Sequence, residues 1–383
     1  MKFLLFTLVT RVPDPSTGRL PGTRQRLTDV IDQARLAEEL GYDGFAVGER
    51  HEDPFLSAAP PVILSHIAAV TSRISLFTAV TTLSLLDPVR AFEDYSTLDN
   101  LCGGRLELII GKGNGAAQAK LYHVTTEDQW DRNREGYELF RALWDSDSVT
   151  WSGRFRPELV EAKALPRPWQ PRIRIWHGSA TSRDSVELAA RHGDPLFSAN
   201  VTNPIEPYAE LVRHYRERWE HYGHDPAEAL VGAGTAGFHV ARTSQQALDG
   251  YRPIFEARLA LARKLGLPIV FETLDDFVAR SSALVGSPEQ VIDKVGRQHE
   301  AFGHEVIHLS AERDGRTEAE HRDGLELFQA EVAPELRRRI RSRPLAGNRD
   351  AAANSRGAGR PSTEYDIDSR GELVRTETSG VPQ

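Results

Sequence analysis

Short apolar runs alternate with amphipathic stretches along most of this chain. Lys2–Val9 is rich in Phe, Leu, Thr and Val and reads as a buried strand. Similar runs follow at Asp43–Gly48, Ile74–Leu83, Arg105–Ile110, Ile173–His177, Pro195–Ala199, Leu230–Ala241 and Glu305–Ser310. Helical spacing separates them. Between Thr23 and Leu40 the apolar positions are Leu27, Val30, Ile31, Ala34, Leu36, Ala37 and Leu40, with Gly41 as the stop. Ala58–Ser72 and Val89–Leu101 carry prolines near their starts, where a missing N–H costs little. Asn133–Trp144, a stretch ending at Arg191, Pro204–Tyr222, Ser287–Phe302 and Arg322–Arg341 continue the alternation.

Eight strand candidates, each followed by a helix, predict a parallel sheet closed into a (β/α)8 TIM barrel, with an open doubly wound sheet as the alternative. Two insertions interrupt the rhythm. Ser146–Pro171 holds Trp151, Phe155 and Trp169 among its prolines, which predicts a packed excursion with a short hairpin. Thr243–Leu265 reads as a helical insertion. The barrel is expected to span 1–343. Residues 344–383 are poor in large apolar groups and are expected to form a disordered tail.

Composition narrows the class. The chain has 383 residues, 40% of them hydrophobic, and a net charge of −8, which disfavours nucleic acid and anionic membranes as partners. The first residues are apolar for too short a run to be a signal peptide, and no stretch reaches the ~20 apolar residues of a membrane span. A cytoplasmic location is expected. Cys102, the single cysteine, has no internal disulfide partner.

In a parallel barrel the strand C-termini share one mouth, so sequence-distant groups meet there. Glu49-Arg50-His51 closes the second strand. His51 titrates near neutrality, Arg50 stays charged and Glu49 can orient either; a salt-bridged strand end is the plainer alternative. Gly111-Lys112-Gly113-Asn114-Gly115 closes the fourth strand and offers bare backbone beside a cation. Gly178-Ser179-Ala180-Thr181-Ser182 follows the fifth strand and opens a helix, a place for phosphate or simply an N-cap. Together with Lys112, phosphate is favoured. His177, His239 and His308 are expected to be packed and hydrogen-bonded. His299, Glu300 and His304 miss the spacing of a zinc-protease motif, and no metal is expected.

The order and spacing of Gly41-Tyr42-Asp43-Gly44-Phe45, Glu49-x-His51, Ile74–Leu83, Asp87-Pro88-Val89-Arg90, Gly103-Gly104-Arg105, Gly111-Lys112-Gly113 and Gly286-Ser287-Pro288-Glu289-Gln290-Val291 resemble the bacterial luciferase-like monooxygenase family over roughly residues 1–340. The resemblance implies a barrel that binds reduced FMN at its mouth, with a separate flavin reductase supplying FMNH2, a small organic substrate, O2, and a homodimer. It implies that Lys112 and Ser179 through Ser182 hold the flavin phosphate, with Gly113 and Gly178 beside them. Ala79 and Val80 would lie under the isoalloxazine, near a non-proline cis peptide. A C4a-hydroperoxide would oxygenate the substrate, Arg50 stabilising the anion and His51 moving a proton. Two departures stand out. Luciferase has Glu-His-His where this chain has Glu49-Arg50-His51, so the catalytic histidine aligns with Arg50. Gly111 stands where luciferase has a cysteine, which argues against light emission.

The alternatives are F420-dependent hydride transfer on the same barrel, with Arg132 and Arg134 as candidates for the acidic tail, and a flavin-binding protein without turnover. The loops 114–132 and 242–284 are expected to shape the substrate pocket.

Overall fold

The β-branched and aromatic runs pair edge to edge in parallel and close on themselves. The structure, a computed structural model, describes residues 1–13, 18–113, 116–266, 268–347, 364–367 and 373–376. Eight strands form the closed barrel in chain order: Lys2–Thr7, Gly44–Val47, Ser75–Thr82, Leu106–Gly111, Arg174–Ser179, Leu196–Ser198, Val231–Ala233 and Val306–Ser310. Below they are the first to the eighth strand. Each pairs with its sequence neighbours, and the eighth closes on the first with Leu4 opposite His308. Alternation along each strand divides the side chains. Leu4, Ala46, Phe77, Ile109, Trp176, Phe197 and Val306 cluster in the interior, while Phe3, Leu5, Phe45, Leu76, Leu108 and Ile307 join the core against the surrounding helices.

Helix starts follow from local chemistry. Asp87 accepts the N–H groups of Val89 (2.9 Å) and Arg90 (3.2 Å) at the head of Pro88–Leu101. Gln290 accepts the Ser287 N–H at 3.1 Å as the capping box of Pro288–Phe302. Gly41 ends the first helix at φ 83°.

Three elements differ from the pattern in the sequence. Leu230–Ala241 is two strands. Val231–Ala233 belongs to the barrel, and Phe238–Val240 leaves it to pair in parallel with Leu284–Gly286. The glycines mark the break: a Cβ at Gly234 would stand 2.0 Å from the Ala199 carbonyl oxygen. The insertion contains the helix Ser244–Leu265 and a second, Leu274–Arg280, over a core of its own that includes Tyr251, Phe255, Phe271 and Phe277. The closing helix is Glu318–Leu327, then a π turn over Phe328–Val332, then Ala333–Arg339. Pro334 has no N–H to continue an α pattern through that point. The excursion at 146–171 does carry a hairpin, Val149–Trp151 against Leu159–Ala162.

The chain divides into Met1–Gly347 and Asn348–Gln383. Residues 344–347 thus belong with the barrel. Leu345 is fully buried in the interior cluster with Leu4, Phe77 and Trp176. The Ala346 N–H donates to Glu107 Oε1 at 2.6 Å, and its carbonyl accepts from Ser75 Oγ at 2.5 Å. The expectation of disorder falls mostly outside the described residues. Within 348–383 those described are Glu364–Ile367 and Leu373–Thr376, which pair antiparallel.

Truncating Leu345 opens the bottom of the interior. We expect Leu345→Ala to lower unfolding free energy by about 2–4 kcal/mol, read from urea denaturation midpoints. An unchanged midpoint would place this segment outside the cooperative core.

Candidate active site

The mouth of the barrel is built from glycines that let backbones approach. The peptide bond between Ala79 and Val80 is cis and lies in the third strand, where the register with the fourth shifts. Three neighbouring strand ends pack against it with no side chain. A Cβ at Gly48 would stand 2.6 Å from the Ala79 carbonyl oxygen. One at Gly178 would stand 2.8 Å from Val80 Cγ1, and one at Gly111 would stand 3.1 Å from Val80 Cγ2. Ala79 and Val80 remain half-buried, so this patch of bare backbone faces the mouth with a small apolar surface.

Beside it, Glu49 is buried and held at both oxygens. Oε2 accepts the Thr82 N–H at 3.0 Å, tying the second strand's end to the third. Oε1 lies 2.9 Å from His51 Nε2. A carboxylate only accepts, so His51 Nε2 carries the proton. In the neutral ring Nδ1 is then an acceptor, and the Tyr122 hydroxyl donates to it at 3.1 Å. The ring of Tyr122 meets that of His51 edge-on at 4.8 Å. Burial and the Glu49 charge push the Tyr122 phenol above its ordinary range, which keeps its proton in place at neutral pH. The result is a carboxylate–imidazole–phenol chain from the strand end to solvent.

Arg50 sits at the same strand end, but its guanidinium is ion-paired with Glu52 and lies over the Phe55 ring at 4.9 Å. Its charge is therefore already partly matched. Lys112 follows the fourth strand, and its carbonyl accepts from Ser84 Oγ at 2.6 Å. Gly113 has φ 75°, and a Cβ there would meet Gln118 Nε2 and Thr82 Cγ2, each at 2.7 Å. Asn114 and Gly115 lie outside the described residues. Ile110 pairs with His177, so Lys112 and Ser179 emerge at adjacent strand ends. Ser182 caps the helix Arg183–His192 through the Ser185 N–H at 3.3 Å. Ser179 Oγ donates to the Ser182 carbonyl at 3.0 Å and accepts its N–H at 3.1 Å. Those two hydroxyls thus close the turn. Arg183 and Asp184 supply first-turn N–H groups without an intrahelical partner, and Ala180 and Thr181 are exposed. An exposed turn at a helix N-terminus beside a lysine, flanking a bare-backbone patch, fits a planar group carrying a phosphate.

The sequence does not single out Tyr122, Thr82 or Gln118. Tyr122 lies in a turn, Thr82 at the end of the third strand and Gln118 in the short helix Ala116–Leu121, and only the closed barrel brings them to Glu49 and Gly113. His308 departs from expectation. Its ring lies between Phe6 (4.8 Å) and Phe197 (5.7 Å, parallel), and its buried Nδ1 has no hydrogen-bond partner. His239 is paired, its Nδ1 accepting from Arg316 Nη1 at 3.0 Å. His177 contacts Asp194 at 3.3 Å beneath Tyr137. Among the described residues no group of His, Cys, Asp and Glu is arranged to hold a metal ion.

A closed parallel barrel with a polar mouth at its strand C-termini places this chain among (β/α)8-barrel proteins. The sequence profile of the luciferase-like monooxygenase family matches residues 1–305, and the chain belongs to that family. It is 27% identical over 322 residues to 4-hydroxyprotoasukamycin monooxygenase of Streptomyces nodosus subsp. asukaensis, covering 79% of this chain and 85% of that one. It is 29% identical over 336 residues to an F420-dependent glucose-6-phosphate dehydrogenase of Kineococcus radiotolerans, covering 80% and 93%. Among solved structures, a monooxygenase of Streptomyces bottropensis superposes with a TM-score of 0.76 at 26% identity, over 88% of this chain and 99% of the other. The family thus spans relatives named as monooxygenases and relatives named as F420-dependent dehydrogenases.

Two predictions follow from the buried groups. Burial, the largest cause in each case, lowers His192, His239 and His308 to about 4 and His304 and His321 to about 3. The unfolded chain therefore binds more protons than the folded one below about 6.5. Stability contributed by these neutral rings is complete above that pH and falls as pH drops towards 4. Urea midpoints should decline steadily from pH 7 to pH 5, and His321→Leu should flatten that decline. A pH-independent midpoint would contradict it. Separately, Gly178→Ala should cost about 1–3 kcal/mol through overpacking against Val80, measured by the same denaturation.

Proposed function

We propose that the protein is a two-component flavin-dependent monooxygenase that takes FMNH2 from a separate reductase and oxygenates a small organic substrate. The observation that carries this reading is the Glu49–His51–Tyr122 chain beside the bare backbone at Ala79–Val80. Lys112 and the turn from Gly178 through Ser182, with Gly113, would hold the phosphate. Ala79 and Val80 would back the flat ring. Reduced flavin, when bound, supplies the electrons that activate O2.

This chain's own residues do the rest. Glu49, fixed by the Thr82 N–H, holds His51 in the tautomer with Nε2 protonated. Proton exchange with the mouth then runs through His51 Nδ1, relayed by the Tyr122 hydroxyl. Arg50 supplies positive charge for a developing anion, moderated by Glu52. The relatives named as monooxygenases, at 27% and 26% identity, support the oxygenase reading. A homodimer in the cytoplasm belongs to the same reading.

The similarity to an F420-dependent dehydrogenase over 80% of the chain supports a second reading, hydride transfer to or from F420. Anaerobic titration with FMNH2, followed by mixing with oxygenated buffer, separates the two. We expect saturable FMNH2 binding and substrate-stimulated oxygen consumption, with His51→Gln slowing turnover by about 10²-fold or more while flavin still binds. Binding of reduced F420 instead, without oxygen consumption, would select hydride transfer. Tight FMNH2 binding with no consumption under any substrate would select a carrier without turnover.

A further inference from the structure

Next to the proton chain lies a cavity of about 190 Å3, at the exit of the third strand. Leu83, Leu85, Pro88, Leu139 and Phe155 give it an apolar wall. Tyr122 lines it too, and the same hydroxyl that reaches His51 belongs to this residue. Its polar wall is unbalanced. Arg132 Nε and Arg156 Nη1 are buried N–H groups with no acceptor, and both side chains line the cavity. A buried donor left unmatched costs roughly 1–3 kcal/mol, more when charged, so two in one cavity call for an acceptor from outside.

The carboxylates in the wall do not provide it. Asp87 Oδ1 takes the helix N–H groups of Val89 and Arg90, and its Oδ2 meets Arg156 Nε at 3.3 Å, leaving Nη1 unmatched. Glu135 accepts the backbone N–H groups of Arg154 (2.8 Å) and Phe155 (3.0 Å), which pins the hairpin over the cavity. Among the described residues Arg132 has no ion-pair partner. Its guanidinium lies over Phe155, 4.5 Å from the ring centre, and the Arg154 guanidinium lies 4.7 Å from the same centre. A guanidinium presents its N–H groups in a planar fork that matches a carboxylate.

We infer that this cavity binds a compact, flat, apolar substrate through a carboxylate, with Arg132 and Arg156 as the anion clamp and Tyr122 at the reactive end. The volume is below the range usual for drug-sized ligands, which sets the compactness. The word substrate rests on the oxygenase reading; the binding itself needs no flavin.

The probe is benzoate, titrated by calorimetry into flavin-free protein, with benzyl alcohol as its uncharged counterpart and inorganic phosphate as competitor. We expect benzoate to bind at least tenfold more tightly than benzyl alcohol. Arg132→Gln should weaken benzoate at least tenfold, and Arg132→Lys should recover part of the loss. Arg35→Gln, on the exposed face of the first helix, should change nothing. Thermal unfolding of each variant shows whether it folds. Equal binding of the two probes, no binding of either, an unaffected Arg132→Gln, or displacement by phosphate at equal concentration would overturn the assignment. Benzoate binding without FMNH2 binding would leave the cavity assigned and remove the oxygenase; FMNH2 binding without benzoate binding would do the reverse.

Discussion

A buried carboxylate inside the barrel sets much of what lies above it. Glu107, on the fourth strand, is fully buried. It accepts from Trp176 Nε1 at 2.6 Å, Arg174 Nη1 at 3.2 Å and the Ala346 N–H at 2.6 Å. Burial raises its pKa, and Arg174 and these hydrogen bonds oppose the rise. A charge in that position is tolerable only with such partners, and removing one would leave the buried carboxylate's desolvation cost less compensated. The same three donors fix the fifth strand's Trp176 in the interior and bring Leu345 into the interior cluster. Trp176, Phe77 and Phe197 fill the inside of the barrel below its mouth.

At that end the constraint reverses. Where the interior needs bulk, the mouth needs its absence. Gly48, Gly111 and Gly178 come from three different strands, yet all pack against Ala79 or Val80, where a Cβ at Gly48 or Gly178 would clash and one at Gly111 would be tight. The patch is a property of barrel closure, since no two of these glycines are neighbours in sequence. Gly232 and Gly234 act similarly on the other side, admitting Phe197 and the Ala199 carbonyl, and the seventh strand consequently ends early.

How much of this is legible in the sequence depends on the range of the interaction. Apolar alternation and glycine or proline punctuation are local, so all eight barrel strands and most helices are readable, as is the family. Glu49, His51, Lys112 and Ser182 are conspicuous as polar residues at strand ends. Their partners are not. Tyr122 reaches His51 across 71 residues, and Thr82 reaches Glu49 across 33. No periodicity encodes such contacts. The split of Leu230–Ala241 also escaped local reading, because a strand is defined by its partner and Phe238–Val240 pairs with Leu284–Gly286 from beyond the insertion. Leu345 looked like tail for the same reason: its burial depends on Glu107, more than two hundred residues earlier.

Satisfied and unsatisfied polar groups also separate structural charge from functional charge. Glu107 has three donors and no freedom to exchange any of them. Glu49 likewise uses both oxygens, one on backbone and one on His51, so its role is to hold an imidazole in a single tautomer. Around them the account does not close. Thr82 Oγ1, Gln118 Oε1, Arg132 Nε and Arg156 Nη1 are buried without partners. Thr82 and Gln118 flank Gly113, and the two arginines line the cavity that Tyr122 shares. On the proposed reading, the unmatched arginine N–H groups of that cavity are the ones a ligand carboxylate would meet. The Tyr122 hydroxyl links the two regions. It joins the proton chain at His51 to the cavity that holds the unmatched Arg132 Nε and Arg156 Nη1.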